Sequence, residues 1–285
     1  MAGITLPGRF TSQPQYEAAP ARQSPLLSAM AAEVLVVPRS SFRDSIRGSF
    51  ATVTGTPLRS VGDLKSAGPA RSMGFPDAGT SGQFQFTGRT SGAASGNTWA
   101  GVIIRRGLPG GGNNFGYYGI FSNSLNVGFS VSTGFNNGTV LRPAYDANLV
   151  GADTTLALNV PYFIIVSMEA KGASSAWYIK VKNLQTTAMV SNQSGSQTIN
   201  AAGTGTWNIG ANVVFGGAIA ADIFLLAMGS RYLPPRLADA WCQNPWQIFQ
   251  APDRPSMFSH TAAAPSGFKP YWSSQRPRVY GAGVR

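Results

Sequence analysis

The sequence predicts an all-β sandwich, on three observations. Apolar and polar residues alternate with a period of two through the middle of the chain. The 285 residues include 34 Gly and 19 Pro, which punctuate those runs at short intervals. Charged residues make up only 12%, about half the usual share for a globular domain, and this favours many short strands over helices.

Taken in order, residues 1–23 form an N-terminal arm and residues 24–250 a single domain. Its candidate strands are Glu33–Val37, Arg47–Val53, Gln83–Thr87, Trp99–Arg105, Tyr117–Phe121, Tyr162–Ala170, Thr206–Ile209 and Ile223–Gly229. In a further strand Val127, Phe129 and Val131 face one way and Gly128 and Ser130 the other. In another, Trp177, Ile179 and Val181 alternate with Tyr178, Lys180 and Lys182. Both read as half-buried strands. Asn137-Gly138, between Phe135 and Val140, predicts a hairpin turn. The Gly/Ser/Asn stretches at 79–98, 107–116 and 191–206 read as breaks, the second as a hairpin loop. One short helix is expected near the C-terminus: prolines 234 and 235 suit a first turn, Leu237, Trp241 and Cys242 share a face, and Pro245 stops it. Residues 251–285 form a C-terminal arm, basic and aromatic, with no acid after Asp253. Ten of the 19 prolines fall in 1–40 and 251–285, so both ends differ in composition from the middle.

The chemistry available is narrow. One cysteine, Cys242, excludes an internal disulfide and a multi-cysteine metal site, and it reads as a buried filler. One histidine, His260, lies in the arm and removes the usual routes to zinc or a Ser-His-Asp triad. A glycosidase needs two carboxylates flanking the scissile bond. Among Asp44, Asp63, Asp77, Asp146, Asp153, Glu169, Asp222 and Asp239 no two stand at i, i+2 on one strand. Calcium needs a cluster of hard oxygens, and no acid cluster supplies one. No catalytic residue, metal or cofactor is therefore expected.

A net charge of +11, from 17 Arg and 5 Lys against 11 acids, suits anionic or carboxylate partners. It is spread as +1 in 1–40, +6 in 41–250 and +4 in 251–285, without the clustering of a nucleic-acid motif, so no specific nucleic acid is expected. The most apolar run, Val213 to Met228, is broken by Gly216, Gly217 and Asp222 and is too short to span a bilayer. The first residues do not read as a signal peptide, so synthesis in the cytoplasm is expected.

Two segments carry a family resemblance. Thr206-Trp207-Asn208-Ile209-Gly210, Phe215-Gly216-Gly217, Ile223 to Ala227, a short helix and Asn244-Pro245-Trp246-Gln247-Ile248-Phe249 closely resemble the end of the LamG-like domains of tailed-bacteriophage and prophage virion proteins. The opening, Gly3 to Thr11 with Gln13-Pro14-Gln15, is similar to the start of such proteins, and Ser24 to Val37 resembles their first domain strand. The resemblance implies a concanavalin A-like jelly roll in which Asn244, Pro245 and Trp246 anchor the closing segment structurally. It also implies a virion structural protein, multimeric in the particle, whose partners are other phage structural proteins of tail or capsid. A tail-associated fibre or adaptor is favoured over a capsid decoration protein. The contacts expected in the arms are Leu6, Pro7 and Phe10 at one end, and Phe268, Tyr271, Trp272, Arg276, Arg278 and Tyr280 at the other, because Arg and aromatic side chains dominate interface hot spots. A rival reading is host-polysaccharide binding through Arg105, Asn113, Asn114, Phe115, Tyr117 and Tyr118, joined by Asn136 and Asn137, where amides and aromatic faces suit sugars.

Overall fold

The computed structural model describes residues 24–37, 43–46, 48, 50, 52–54, 58–63, 69–75, 83–87, 98–106, 118–123, 129–134, 140–145, 148–149, 151–152, 154–157, 159–169, 171–199, 206–209 and 221–249. These lie within the compact unit Met1–Pro252. They form two eight-stranded antiparallel sheets. The first contains β1 (Val34–Val36), β3 (Leu58–Asp63), β4 (Pro69–Phe75), β6 (Thr98–Arg106), β12 (Pro161–Met168), β13 (Gly172–Asn183), β14 (Met189–Ile199) and β16 (Ala221–Gly229). The second contains β2 (Thr52–Thr54), β5 (Gln83–Thr87), β7 (Tyr118–Asn123), β8 (Phe129–Gly134), β9 (Val140–Tyr145), β10 (Asn148–Leu149), β11 (Thr154–Thr155) and β15 (Thr206–Ile209).

The strand order makes this a jelly roll. The first sheet runs β14-β13-β12-β6-β16-β4-β3 and the second β10-β9-β8-β7-β15-β5-β2. Thus β16 lies between β4 and β6 in one layer, just as β15 lies between β5 and β7 in the other. Each connection β4–β5, β6–β7 and β15–β16 changes sheet, which is the nested crossing of a double Greek key. The β8–β9 pair is a true hairpin, with Gly134 opposite Val140 around the Asn137-Gly138 signal. Residues 107–116 were expected to form a hairpin loop too. Those residues lie outside the described ones; of the strands that flank them, β6 pairs with β12 and β16 whereas β7 pairs with β8 and β15.

At its centre, along β12, the first sheet is buried on both faces. Every residue of β12 is buried. Its register sets Ile164 beside Val102 and Val181, and Val166 beside Ala100 and Ile179, on the face turned into the sandwich. On the opposite face Phe163 and Ile165 join Trp99, Leu225, Ala227 and Leu35 under a cap of helices. That cap is α1 (Pro25–Met30), α2 (Pro235–Gln243) and a 3-10 helix (Pro245–Ile248).

Two expectations change here. The segment beginning at Ser24 was read as strand, and a single C-terminal helix was foreseen. Yet Pro25–Met30 is a second helix, with Pro at its start and the Ser24 side chain accepting from Leu27 N. Leu27 and Met30 face the cap interior, and Ala31 ends the turn in the left-handed region at φ 50°. The stretch 191–206 was read as a break, but β14 runs through it to Ile199, each residue from Ser191 to Gln197 paired with β13. Its Ser, Asn and Gln residues carry no periodic apolar signal because the strand lies at the sheet edge.

Candidate functional site

The best-defined polar arrangement among the described residues is the seat of α2 on β13. Lys180 and Lys182 were expected on the solvent side of a half-buried strand. Lys180 is instead buried beneath α2, where its Nζ lies 2.7 Å from Asp239 Oδ1 and donates to Asn192 Oδ1 at 3.0 Å. Two partners satisfy a charge withdrawn from water. Lys182 Nζ donates to the carbonyls of Cys242 at 2.7 Å and Gln243 at 3.2 Å, the last turn of α2, where a cation meets the negative end of the helix dipole. The sequence signal was available: lysines at i, i+2 in a chain that has only five.

Aromatic rings complete this seat. Trp241 meets Trp99 edge-on at 5.7 Å and Phe163 at 4.9 Å between centroids, and its Nε1 donates to Pro245 O at 3.0 Å. Trp99 Nε1 donates to Met30 O at 3.0 Å and so ties α1 to β6. Gly101 and Gly229 make room for the two indoles: a Cβ at Gly101 would stand 2.4 Å from Trp241 Cη2, and one at Gly229 would stand 2.3 Å from Trp99 Nε1. Asn244 Oδ1 accepts from Trp246 N at 3.0 Å and starts the 3-10 helix, while Trp246 is buried beside Phe249. Asn244, Pro245 and Trp246 therefore close the cap.

Asp44, Glu169 and Asp239 are engaged separately. Asp44 is fully buried and its Oδ1 accepts from Leu35 N at 3.0 Å and Ile46 N at 2.9 Å, which fixes the turn after β1. Glu169 pairs with Lys171 at 2.7 Å, and that hydrogen bond holds its carboxyl below the usual range. Asp239 holds Lys180, and Asp222 lies on β16 opposite Arg105 in register. Among the described residues no three His, Cys, Asp or Glu side chains come together to hold a metal ion. Asp63 lies on β3; Asp77, Asp146 and Asp153 lie outside the described residues. Burial pushes the Cys242 thiol up to about 12, which removes the thiolate that a nucleophile requires.

A second cluster fastens the sandwich edge. Trp177 lies against Gly195 of β14 and Gly151, whose φ of +73° suits only glycine. Gln193 Oε1 accepts from Ala152 N at 2.7 Å, while its Nε2 donates to Ala152 O at 3.0 Å, Thr154 Oγ1 at 3.2 Å and Ser191 Oγ at 2.9 Å. One side-chain amide thus latches the chain before β11 to β14. Nothing in the alternation of β13 or in the polar run of β14 marked this pair beforehand.

The residues expected to bind glycan do not share one sheet. Arg105 lies on β6 in the first sheet and Tyr118 on β7 in the second. Asn113, Asn114, Phe115, Tyr117, Asn136 and Asn137 lie outside the described residues. So do Leu6, Pro7 and Phe10, and Phe268, Tyr271, Trp272, Arg276, Arg278 and Tyr280. No described helix is long and apolar enough to cross a membrane.

No protein-family model and no curated protein matches the chain. Among solved structures it is similar to a GH54 α-L-arabinofuranosidase soaked with a cyclic sulfate inhibitor, with TM-score 0.51 and 13% identity over 77% of this chain and 52% of that one. It is also similar to the binding domain of botulinum neurotoxin DC in complex with SialylT, with TM-score 0.48 and 12% identity over 75% and 51% of the two chains. A third likeness is to domain 4 of AbnA, a GH43 extracellular arabinanase from Geobacillus stearothermophilus, in complex with arabinotriose. Its TM-score is 0.46, with 12% identity over 75% and 98%. The chain spans about half the length of the first of these structures. That first likeness agrees with the strand order in defining the fold: an antiparallel β-sandwich.

Proposed function

We propose that this chain is a bacteriophage virion structural protein, a tail-associated fibre or adaptor component, in which a non-catalytic jelly roll is joined to neighbouring subunits through its terminal segments. One observation carries most of the support. Within the stretch from Gly205 to Pro252, which resembles the end of phage LamG-like domains, the described residues of β15, β16, α2 and the 3-10 helix have a coherent structural role. Its Asn-Pro-Trp segment serves closure, so its tryptophan is spent on packing rather than presented to a sugar. Among the described residues, Asp44, Glu169 and Asp239 are each held by separate structural partners, which favours adhesion over hydrolysis.

The test is to delete residues 1–23 and 251–285 separately and locate the protein in particles by cryo-electron microscopy. The expected result is loss of the protein from particles on either deletion, with the sandwich still folded by circular dichroism. Copy number then separates tail from capsid decoration. Full incorporation of both truncated forms refutes the reading. So does turnover of a capsular polysaccharide that is lost on replacing a single carboxylate. A glycan array with a clear binder, combined with absence from particles, moves the assignment to a host-polysaccharide lectin.

A further inference from the structure

We propose that β14 is a self-association edge, through which two copies of this chain pair antiparallel about a two-fold axis to make one continuous sheet. The proposal rests on β14 itself and holds whether or not the protein belongs to a virion.

Edge strands offer a row of unpaired N–H and C=O groups, and native proteins blunt them by brevity, charge, proline or bulges. In the second sheet the terminal strands are blunted by length: β2 has three residues, and β10 and β11 have two each. At the far end of the first sheet β3 carries Arg59 and Asp63. By contrast β14 has 11 residues, Met189-Val-Ser-Asn-Gln-Ser-Gly-Ser-Gln-Thr-Ile199, without a charge or a proline. Its pairing with β13 is irregular at the two ends, between Met189 and Ser191 and between Gln197 and Ile199, and from Ser191 to Gln197 the register is unbroken. Among the described residues no other strand pairs with its outer side. Met189 and Val190, 46% and 41% exposed, are two of the four large apolar residues exposed on the described surface.

The occupant follows from charge and symmetry. The protein carries +11, so most of its surface repels a second copy. An uncharged edge is where that repulsion is least, and the lysines of the adjoining β13 are already occupied: Lys180 by Asp239 and Lys182 by the end of α2. Two-fold pairing of a strand with itself is necessarily antiparallel, which continues the β12-β13-β14 pattern. It sets Ser, Asn, Gln and Gly opposite one another, so no like charges face across the seam. The regular part of β14 gives a seam of roughly 24 Å. That is modest beside a standard stable interface, so the pair forms and dissociates with concentration.

The test uses the full chain and sedimentation velocity over a concentration series, with Ser194→Lys/Ser196→Lys as the variant. Both serines are exposed, so the fold should survive, as circular dichroism will show. The wild type is expected to shift from monomer to dimer with concentration, and the double variant to remain monomeric. Hydrogen exchange of the wild type provides a check without any variant: amides of 189–199 should gain protection as concentration rises, while those of β3 do not. A wild type that stays monomeric to its solubility limit overturns the proposal. A dimer that persists unchanged in the folded double variant, or β14 amides whose exchange is independent of concentration, also overturns it.

Discussion

Replacing Gly101 by alanine tests the account of the cap most directly. The new methyl would lie 2.4 Å from both Cη2 and Cζ3 of Trp241, whereas carbon atoms in contact stand ~3.5–4 Å apart. Something must therefore move by about 1 Å. The backbone is poorly placed to give way, because β6 is hydrogen-bonded between β12 and β16. The indole is held at its nitrogen by Pro245 O and flanked by Trp99 and Phe163. Overpacking of this kind costs ~1–3 kcal/mol, and a site pinned on both sides belongs at the upper end, about 2–3 kcal/mol. For a domain of this size that lowers Tm by roughly 4–12 °C. The assay is urea unfolding followed by tryptophan fluorescence, with the midpoint read at constant slope. A double-mutant cycle sharpens it. Trp241→Leu alone should cost ~3–5 kcal/mol by leaving a cavity. Combined with Gly101→Ala the loss should fall short of the sum by about 1 kcal/mol or more, since the methyl now enters vacated space. A Gly101→Ala change within about 0.5 kcal/mol of wild type, or strict additivity in the cycle, refutes the packing argument.

Other outcomes follow from the same contacts. Asp44→Ala strands the Leu35 and Ile46 amides and should cost ~2–4 kcal/mol by urea titration. Lys182→Met keeps the stem but removes the charge from the end of α2, and should cost about 1–2 kcal/mol, measured the same way. Cys242 should resist a thiol reagent at pH 8 in the folded protein and react fully in urea, because burial holds the thiol up to about 12. The sign of the pH dependence is fixed by the same group. The folded thiol and the buried Tyr178 hydroxyl both titrate above their unfolded values of 9.0 and 10.0. Their contribution is whole below pH 9 and is lost as the unfolded chain ionises first, so the urea midpoint should fall steadily from pH 9 towards 12.

The layered architecture was legible because strand burial leaves a period-two trace. Gln83–Thr87 and Thr206–Ile209 have the bounds that alternation and flanking turns predict, and α2 lies where its prolines and apolar stripe put it. The failures have physical causes. Glycines after β6 mark the end of a strand but not which strand comes next to it, since local pattern does not say whether β6 pairs with β7 or with β12 and β16. The helix at Pro25 is too short for helical periodicity and shows only its Ser-Pro start. The lysine face of β13 looked solvated because alternation reports polarity, and a polar face may be buried wherever a helix brings an acid and free carbonyls to meet it. Likewise Gln193 reaches the chain at Ala152 across forty-one positions, a distance at which local pattern carries no information.

The double burial of the first sheet along β12, and the cap over it, also narrow where recognition can occur. An aromatic residue on a β-sandwich invites a sugar-stacking role, but Trp99, Trp241 and Trp246 are each within 1% of full burial and belong to one cap. Trp177 is covered by two glycine backbones and the Gln193 latch. Using any of the cap indoles for a ligand would require lifting α2. That would strip Lys180 of its carboxylate, expose Lys182's carbonyl partners and open a cavity under Phe163, all at once. The described face of the first sheet is therefore a closed structural surface. This is why an interaction at β14 and attachment through the terminal segments are compatible readings: neither disturbs the cap on which the domain closes.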